Sequence, residues 1–335
     1  MHDEAMSAGQ ARHLRVGEIV EVRSEAEILA TLDPSAELES LPFMPEMLQF
    51  CGRRFRVDKL AVKLCDTISS AGMYRMKDAV HLEGVRCNGE AHGGCQAGCL
   101  IYWKEAWLKR VSADGHECLD LATEPTASGC THDTLLAATH KADSASEDER
   151  FSCQATELLR AAPIRVPPWE VGQYIRDVRS GNASLLTTIR AIIIGVFNEY
   201  QDFSRRFLPR WLRIKGGIRL PFIQGRLERT PDDRLDLQVG ELVRIRSRQE
   251  IVDTLDGNNS NRGLSFDPEM LWYCGQEAKV LRRIERTIDE RTGKLLHLKR
   301  PCVALEGVTC RGLYHRACPR ADYPYWREAW LERVE

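Results

Sequence analysis

The chain has 335 residues, 43% hydrophobic and 29% charged, ordinary for a globular protein but more than one core usually accommodates. A formal net charge of -2 gives no global pull towards nucleic acid or anionic membrane, so any such attraction has to be local. No apolar run is long enough for a spanning helix, and the charged start MHDEAMSAGQARHLRV lacks the apolar centre of a secretory signal.

Twelve cysteines without an export signal favour metal ligands or reduced thiols over disulfides, and a cytoplasmic location is expected.

Residues 1–14 read as a flexible arm. From Val16 to Val111, and again from Val239 to Val334, the sequence repeats at a constant offset of 223 without a gap. VGEIVEVRSEAEILATLD matches VGELVRIRSRQEIVDTLD, PEMLQFCG matches PEMLWYCG, and YWKEAWLKRV matches YWREAWLERV. Alternation of Val20 and Val22 with Glu21 and Arg23 predicts a half-buried strand. Ser24 with Glu27 forms a capping-box signature for the helical turn that follows. Residues 34–50, with three prolines, read as loop ending in a short turn at PEMLQF. CGRRFRVDKLAVKLCD and MKDAVHLEGV read as strands, Ser69, Ser70 and Gly72 as a tight connection, and Cys87 to Cys99 as a loop. IYWKEAWLKRV supplies a last strand.

The segment 112–150 is rich in Ser, Thr, Ala and acidic residues and reads as a flexible linker or insertion. Residues 151–237 read as a helical, partly basic connector. A short helix stops at Gly181; Asn182 or Ser184 caps a long one running to Pro209, whose apolar residues at i, i+3, i+4 spacing predict a broad buried face. Eight basic residues between Arg205 and Arg229 read by default as a solvated face, with a phosphate- or membrane-surface element as the sharper alternative. In the second repeat, Thr292-Gly293 marks a clear hairpin.

Short strands, long loops and the opening G-E-x-V-x-V strand (Gly17 to Val22, and Gly240 to Ile245) suggest a small, strongly bent barrel. This resembles the SH3-like barrels of the KOW, Tudor and nitrile-hydratase-β kind. The resemblance implies a mainly β protein with some α: one barrel over 15–111, another over 238–335, joined by the helical middle. It implies no activity.

Within the repeats, Cys87, His92 and Cys95 coincide with Cys310, His315 and Cys318. Zinc takes about four thiolate, imidazole or carboxylate ligands in a tetrahedron. Cys65 corresponds to Ile288, and Cys302 to Ala79. If positions 65 and 79 face each other across a hairpin, a fourth thiolate reaches the same ion from either strand. The expected first site is Cys65, Cys87, Cys95 and Cys99, with His92 competing; the second is Cys302, Cys310, His315 and Cys318. Two structural zinc ions are expected, against buried free thiols as the plain alternative. Cys118, Cys130 and Cys153 read as unliganded thiols, and Cys51 and Cys274 as packed core thiols. Trp103/Trp107 and Trp326/Trp330 read as core, with an aromatic ligand platform as alternative.

The leading expectation is a non-enzymatic, zinc-stabilised tandem-barrel binding or scaffold protein whose partner is another protein. Nucleic-acid binding through 205–229 and the barrel aromatics is one alternative. A metal-dependent enzyme with a site between the repeats is the other.

Overall fold

The computed structural model describes residues 13–68, 72–111, 118–120, 130–141 and 149–334. Most of the expected arm, the connection at Ser69 and Ser70, and much of the expected linker lie outside them. Strands and helices mix, with several antiparallel sheets.

In the first sheet, strand Ile19–Val22 lies between Arg54–Leu60 and Leu108–Val111, and Ala79–Leu82 continues outward to Trp103–Lys104. The second sheet has the same core order. Leu242–Ile245 lies between Glu277–Ile288 and Leu331–Arg333, with Leu295–Leu305 beyond. Register is matched at the offset of 223. Ile19 opposes Arg56 as Leu242 opposes Lys279, and Val20 opposes Arg110 as Val243 opposes Arg333. The described pairings leave edge strands on both sheets rather than closing two barrels.

Local causes are duplicated too. Helices α1 (Glu25–Leu29) and α6 (Arg248–Val252) each start with a complete capping box, Ser24 with Glu27 and Ser247 with Glu250. Behind each sheet a Trp pair is fully buried, which settles Trp103/Trp107 and Trp326/Trp330 as core rather than an exposed platform. Phe43 meets Trp107 edge-on at 5.2 Å, and Phe266 meets Trp330 at 5.3 Å. Trp107 Nε1 donates to Thr31 Oγ1 at 3.1 Å, and Trp330 Nε1 to Thr254 Oγ1 at 2.9 Å.

The halves meet around positions related by the offset. Thr67 donates to Glu290, its own counterpart. Arg320, almost wholly buried, donates to Thr67 Oγ1 (2.9 Å) and Glu290 Oε1 (3.1 Å) and pairs with Asp322 at 2.9 Å. Gln96 reaches across to the backbone N of Glu285 and Arg286. Two similar halves therefore pack about an approximate two-fold axis near Thr67 and Glu290.

The middle carries α2 (His132–Ala137), α3 (Leu158–Ala161), α4 (Val171–Ser180) and α5 (Leu185–Phe207). Helix α2 lies inside the stretch expected to be linker, because Thr131 caps it and Leu135 is buried. Gly181, at φ 83°, ends α4, and Ser184 caps α5. Asn182 fastens this connection to the first half, accepting from Leu60 N (2.7 Å) and donating to Leu60 O (2.8 Å). The buried Lys63 ammonium pairs with the buried Asp177 carboxylate on α4.

The expected buried face of α5 is a correction. Its inward side is Thr188, Ala191, Gln201 and Ser204, while Ile193, Val196 and Phe207 remain 60%, 65% and 61% exposed. The reason lies in the following chain. It folds back on the polar side, where Gln201 Nε2 donates to Ile214 O and Ile218 O (3.0 and 2.8 Å), and no described element covers the other side.

Two stability outcomes are expected. Thr31→Val and Thr254→Val each strand a buried indole N–H and lower unfolding free energy by about 1–3 kcal/mol, read by chemical denaturation. Lys63→Met leaves Asp177 buried without its partner and costs about 3–5 kcal/mol, whereas Lys63→Met with Asp177→Leu costs much less. A single variant as mild as the double contradicts the buried pair.

Candidate metal centres and the cavity between the halves

Two clusters of possible ligands stand out among the described residues: Glu46, Cys87 and His92, and Glu269, Cys310 and His315. In each, one ligand atom per residue lies within 4.8 Å of the others. The clusters are related by the offset of 223, residue for residue. Each joins the 3-10 turn of the PEML motif (Pro45–Phe50, Pro268–Tyr273) to the Cys-rich loop.

The turn aims its glutamate inward because proline starts it and the following Met and aromatic residues pack on the core. The loop bends back through a glycine with positive φ. A Cβ at Gly89 would lie 2.0 Å from Cys95 O, and one at Gly312 would lie 2.4 Å from Cys318 O, so no larger residue fits either turn.

Glu46 and His92 are both buried, with His92 Nδ1 2.5 Å from Glu46 Oε1. His92 Nε2 lies 3.1 Å from the carbonyl oxygen of Ser152, which fixes Nε2 as a donor and turns Nδ1 to the cluster. Cys87 Sγ is 3.9 Å from Glu46 Oε1. In the second cluster Tyr314 N donates to Glu269 Oε1 at 2.5 Å. Asp267 holds His315 Nε2 at 3.0 Å.

The other carboxylate oxygen is the telling atom. Glu46 Oε2 and Glu269 Oε2 are buried and have no hydrogen-bond partner. Orphan polar atoms of this kind are rare, and a bound ion is one of their ordinary explanations.

Without an ion, the surroundings of these groups hold their protons on. Burial pushes the Cys87 thiol far up, helped by the charge of Glu46, and does the same to Cys310, helped by Glu269. Burial opposes the charge on His315, but the hydrogen bond and charge of Asp267 prevail and raise it to about 9. Burial lifts Glu269 above the usual carboxylate range. A divalent cation would favour the thiolate, the carboxylate and the neutral imidazole together. Carboxylate, thiolate and imidazole are all zinc donors, so the residues fit that ion.

The other expected ligands sit elsewhere. Cys65 pairs in register with Met73, and Ala79 with Lys104, so positions 65 and 79 do not face each other. Cys65 lies instead against Cys318 of the other half, Sγ to Sγ 3.2 Å, and Cys65 N donates to Cys318 Sγ at 3.2 Å. Cys302 opposes Ile284 in its hairpin, where Arg327 Nη1 donates to its sulfur at 3.2 Å.

Cys87, His92, Cys95 and Cys99 line one cavity of about 250 Å³, together with Cys153. The walls include both members of several counterpart pairs: Thr67 and Glu290, Cys99 and Asp322, Tyr102 and Tyr325. The cavity therefore straddles the approximate two-fold axis. The buried hydroxyl of Tyr102, one of its lining residues, has no hydrogen-bond partner. Cys130 is buried near Thr131, Cys51 and Cys274 pack against the two cores, and the Cys118 side chain lies outside the described residues.

Sequence reasoning missed Glu46, Glu269 and the place of Cys153 in the cavity. The glutamates had a visible signal, since the PEML motif that carries them recurs in full.

No helix among the described residues is long and apolar enough to cross a membrane. No protein-family model matches this chain, and comparison with curated proteins and with solved structures finds no match either.

Proposed function

We propose that this chain is a non-enzymatic binding or scaffold protein built from two duplicated, SH3-like modules, each stabilised by one zinc ion. Glu46, Cys87 and His92 hold one ion, and Glu269, Cys310 and His315 hold the other. The observation that carries this reading is the pair of orphan carboxylate oxygens, Glu46 Oε2 and Glu269 Oε2, at counterpart positions inside counterpart clusters. The buried indole nitrogens of Trp103 and Trp326 are unsatisfied at counterpart positions too, so it is the thiol and the imidazole beside each carboxylate oxygen, and not its duplication, that favour a cation.

The role is structural: each ion would clasp a long loop to the turn beneath it. Cys95 and Cys318, three residues beyond each histidine, are the nearest candidates in sequence for a fourth ligand. The partner is another protein, met by the surfaces of two similar modules held in fixed relation.

A second reading rests on the cavity between the halves. It holds the Cys87 and His92 side chains beside the orphan Tyr102 hydroxyl, which suits a small ligand or a substrate near the first ion. A sulfur as fourth ligand supports the structural role; a water in that position supports an enzyme.

Metal analysis of the purified chain is expected to find two zinc ions, and Glu46→Gln or Glu269→Gln to leave about one. Cys87→Ala or Cys310→Ala is expected to remove one ion and lower Tm by at least about 5 °C. A metal-free wild type that melts at the same temperature with and without a chelator contradicts the proposal.

A further inference from the structure

The exposed side of α5 is arranged too regularly to be incidental. Leu186, Ile189, Ile193, Val196, Tyr200, Phe203 and Phe207 follow one another at alternating spacings of three and four and are all exposed. Trp169 just before α4 is 79% exposed, and Trp211 just after α5 is 81% exposed. A stripe of this length normally packs against something.

The charge around it is equally one-sided. Residues 169–229 contain eleven Lys and Arg against five Asp and Glu, a net of +6 in a chain whose total is -2. Four of the five acids are already engaged: Glu170 with Arg75, Asp177 with Lys63, Glu199 with Arg316, and Asp202 with Arg205 and Arg219. Arg190, Arg206, Arg210 and Lys215 are exposed.

Three occupants compete. A second copy of the chain would cover the apolar stripe but bring one basic fringe against another. A nucleic acid would neutralise the arginines but leave the Leu, Ile, Val and Phe side chains in water. The surface of a bilayer containing anionic lipid accepts both, taking the apolar stripe and flanking indoles at the acyl boundary and the arginines at the headgroups.

We infer that α5, with Trp211 just after it, docks this protein onto the surface of an anionic membrane. The helix lies in the interface without spanning it, held by Gln201 to the chain that follows it and by Glu199 to Arg316 of the second half.

The test is co-sedimentation of the full chain with vesicles of phosphatidylcholine alone, or with about 30% phosphatidylglycerol, at low and high salt. Binding to the anionic vesicles is expected, weakening as salt rises, with little on phosphatidylcholine alone. Each basic residue near such a surface strengthens binding about fivefold, so Arg206→Glu with Arg210→Glu reduces it at least about tenfold. Ile193→Glu with Phe203→Glu reduces it comparably while Tm is retained, since both side chains are exposed. The inference is overturned if anionic vesicles capture no protein, or if both double variants bind as wild type does. It is equally overturned if sedimentation in free solution finds a dimer that Ile193→Glu with Phe203→Glu dissociates, which assigns the stripe to a second copy.

Discussion

Two buried carboxylates set the terms for this structure. Glu46 and Glu269 are carried under the Cys-rich loops by identical turns, and each is left with one oxygen that no hydrogen bond satisfies. Burying a polar atom without a hydrogen-bond partner is costly. Around each carboxylate stand a thiol raised by burial, an imidazole oriented by Ser152 O or Asp267, and a glycine that lets the loop close over the site. A cation at each site, as proposed, would turn these separate costs into one set of mutually supporting contacts.

The same logic runs through the junction between the halves. Thr67 meets Glu290, its counterpart, and Arg320 is stabilised in full burial by Glu290 and Asp322. Where counterparts differ, the symmetry is broken in a useful way. Cys65 packs against Cys318, while Cys95 and Ile288, which hold the corresponding positions on the other side of the axis, both line the open cavity. One side of the junction is thus closed by sulfur and the other left as a space of about 250 Å³.

Much of this was legible in the residues, and the gaps have physical causes. The offset of 223, the capping boxes, the Gly181 stop, the Ser184 cap and the hairpin at Gly293 are local signals, and local signals were enough for the elements they govern. The two clusters are not legible from thiol spacing, because a glutamate on a distant turn enters each one and no spacing within the Cys loop announces it. Cys65 and Cys302 enter the expected sets only through a hairpin register, and register is decided by strand pairing that the short run at Leu64–Cys65 does not reveal. The stripe on α5 has the periodicity of a buried face, but apolar periodicity states that a face will be covered without stating by what.

X-ray absorption at the zinc edge of the purified chain tests the central claim most directly. The account expects a four-coordinate first shell mixing sulfur near ~2.3 Å with nitrogen and oxygen near ~2.0–2.1 Å. An edge with no zinc, or a shell of oxygen alone as for a loosely held surface ion, would contradict it.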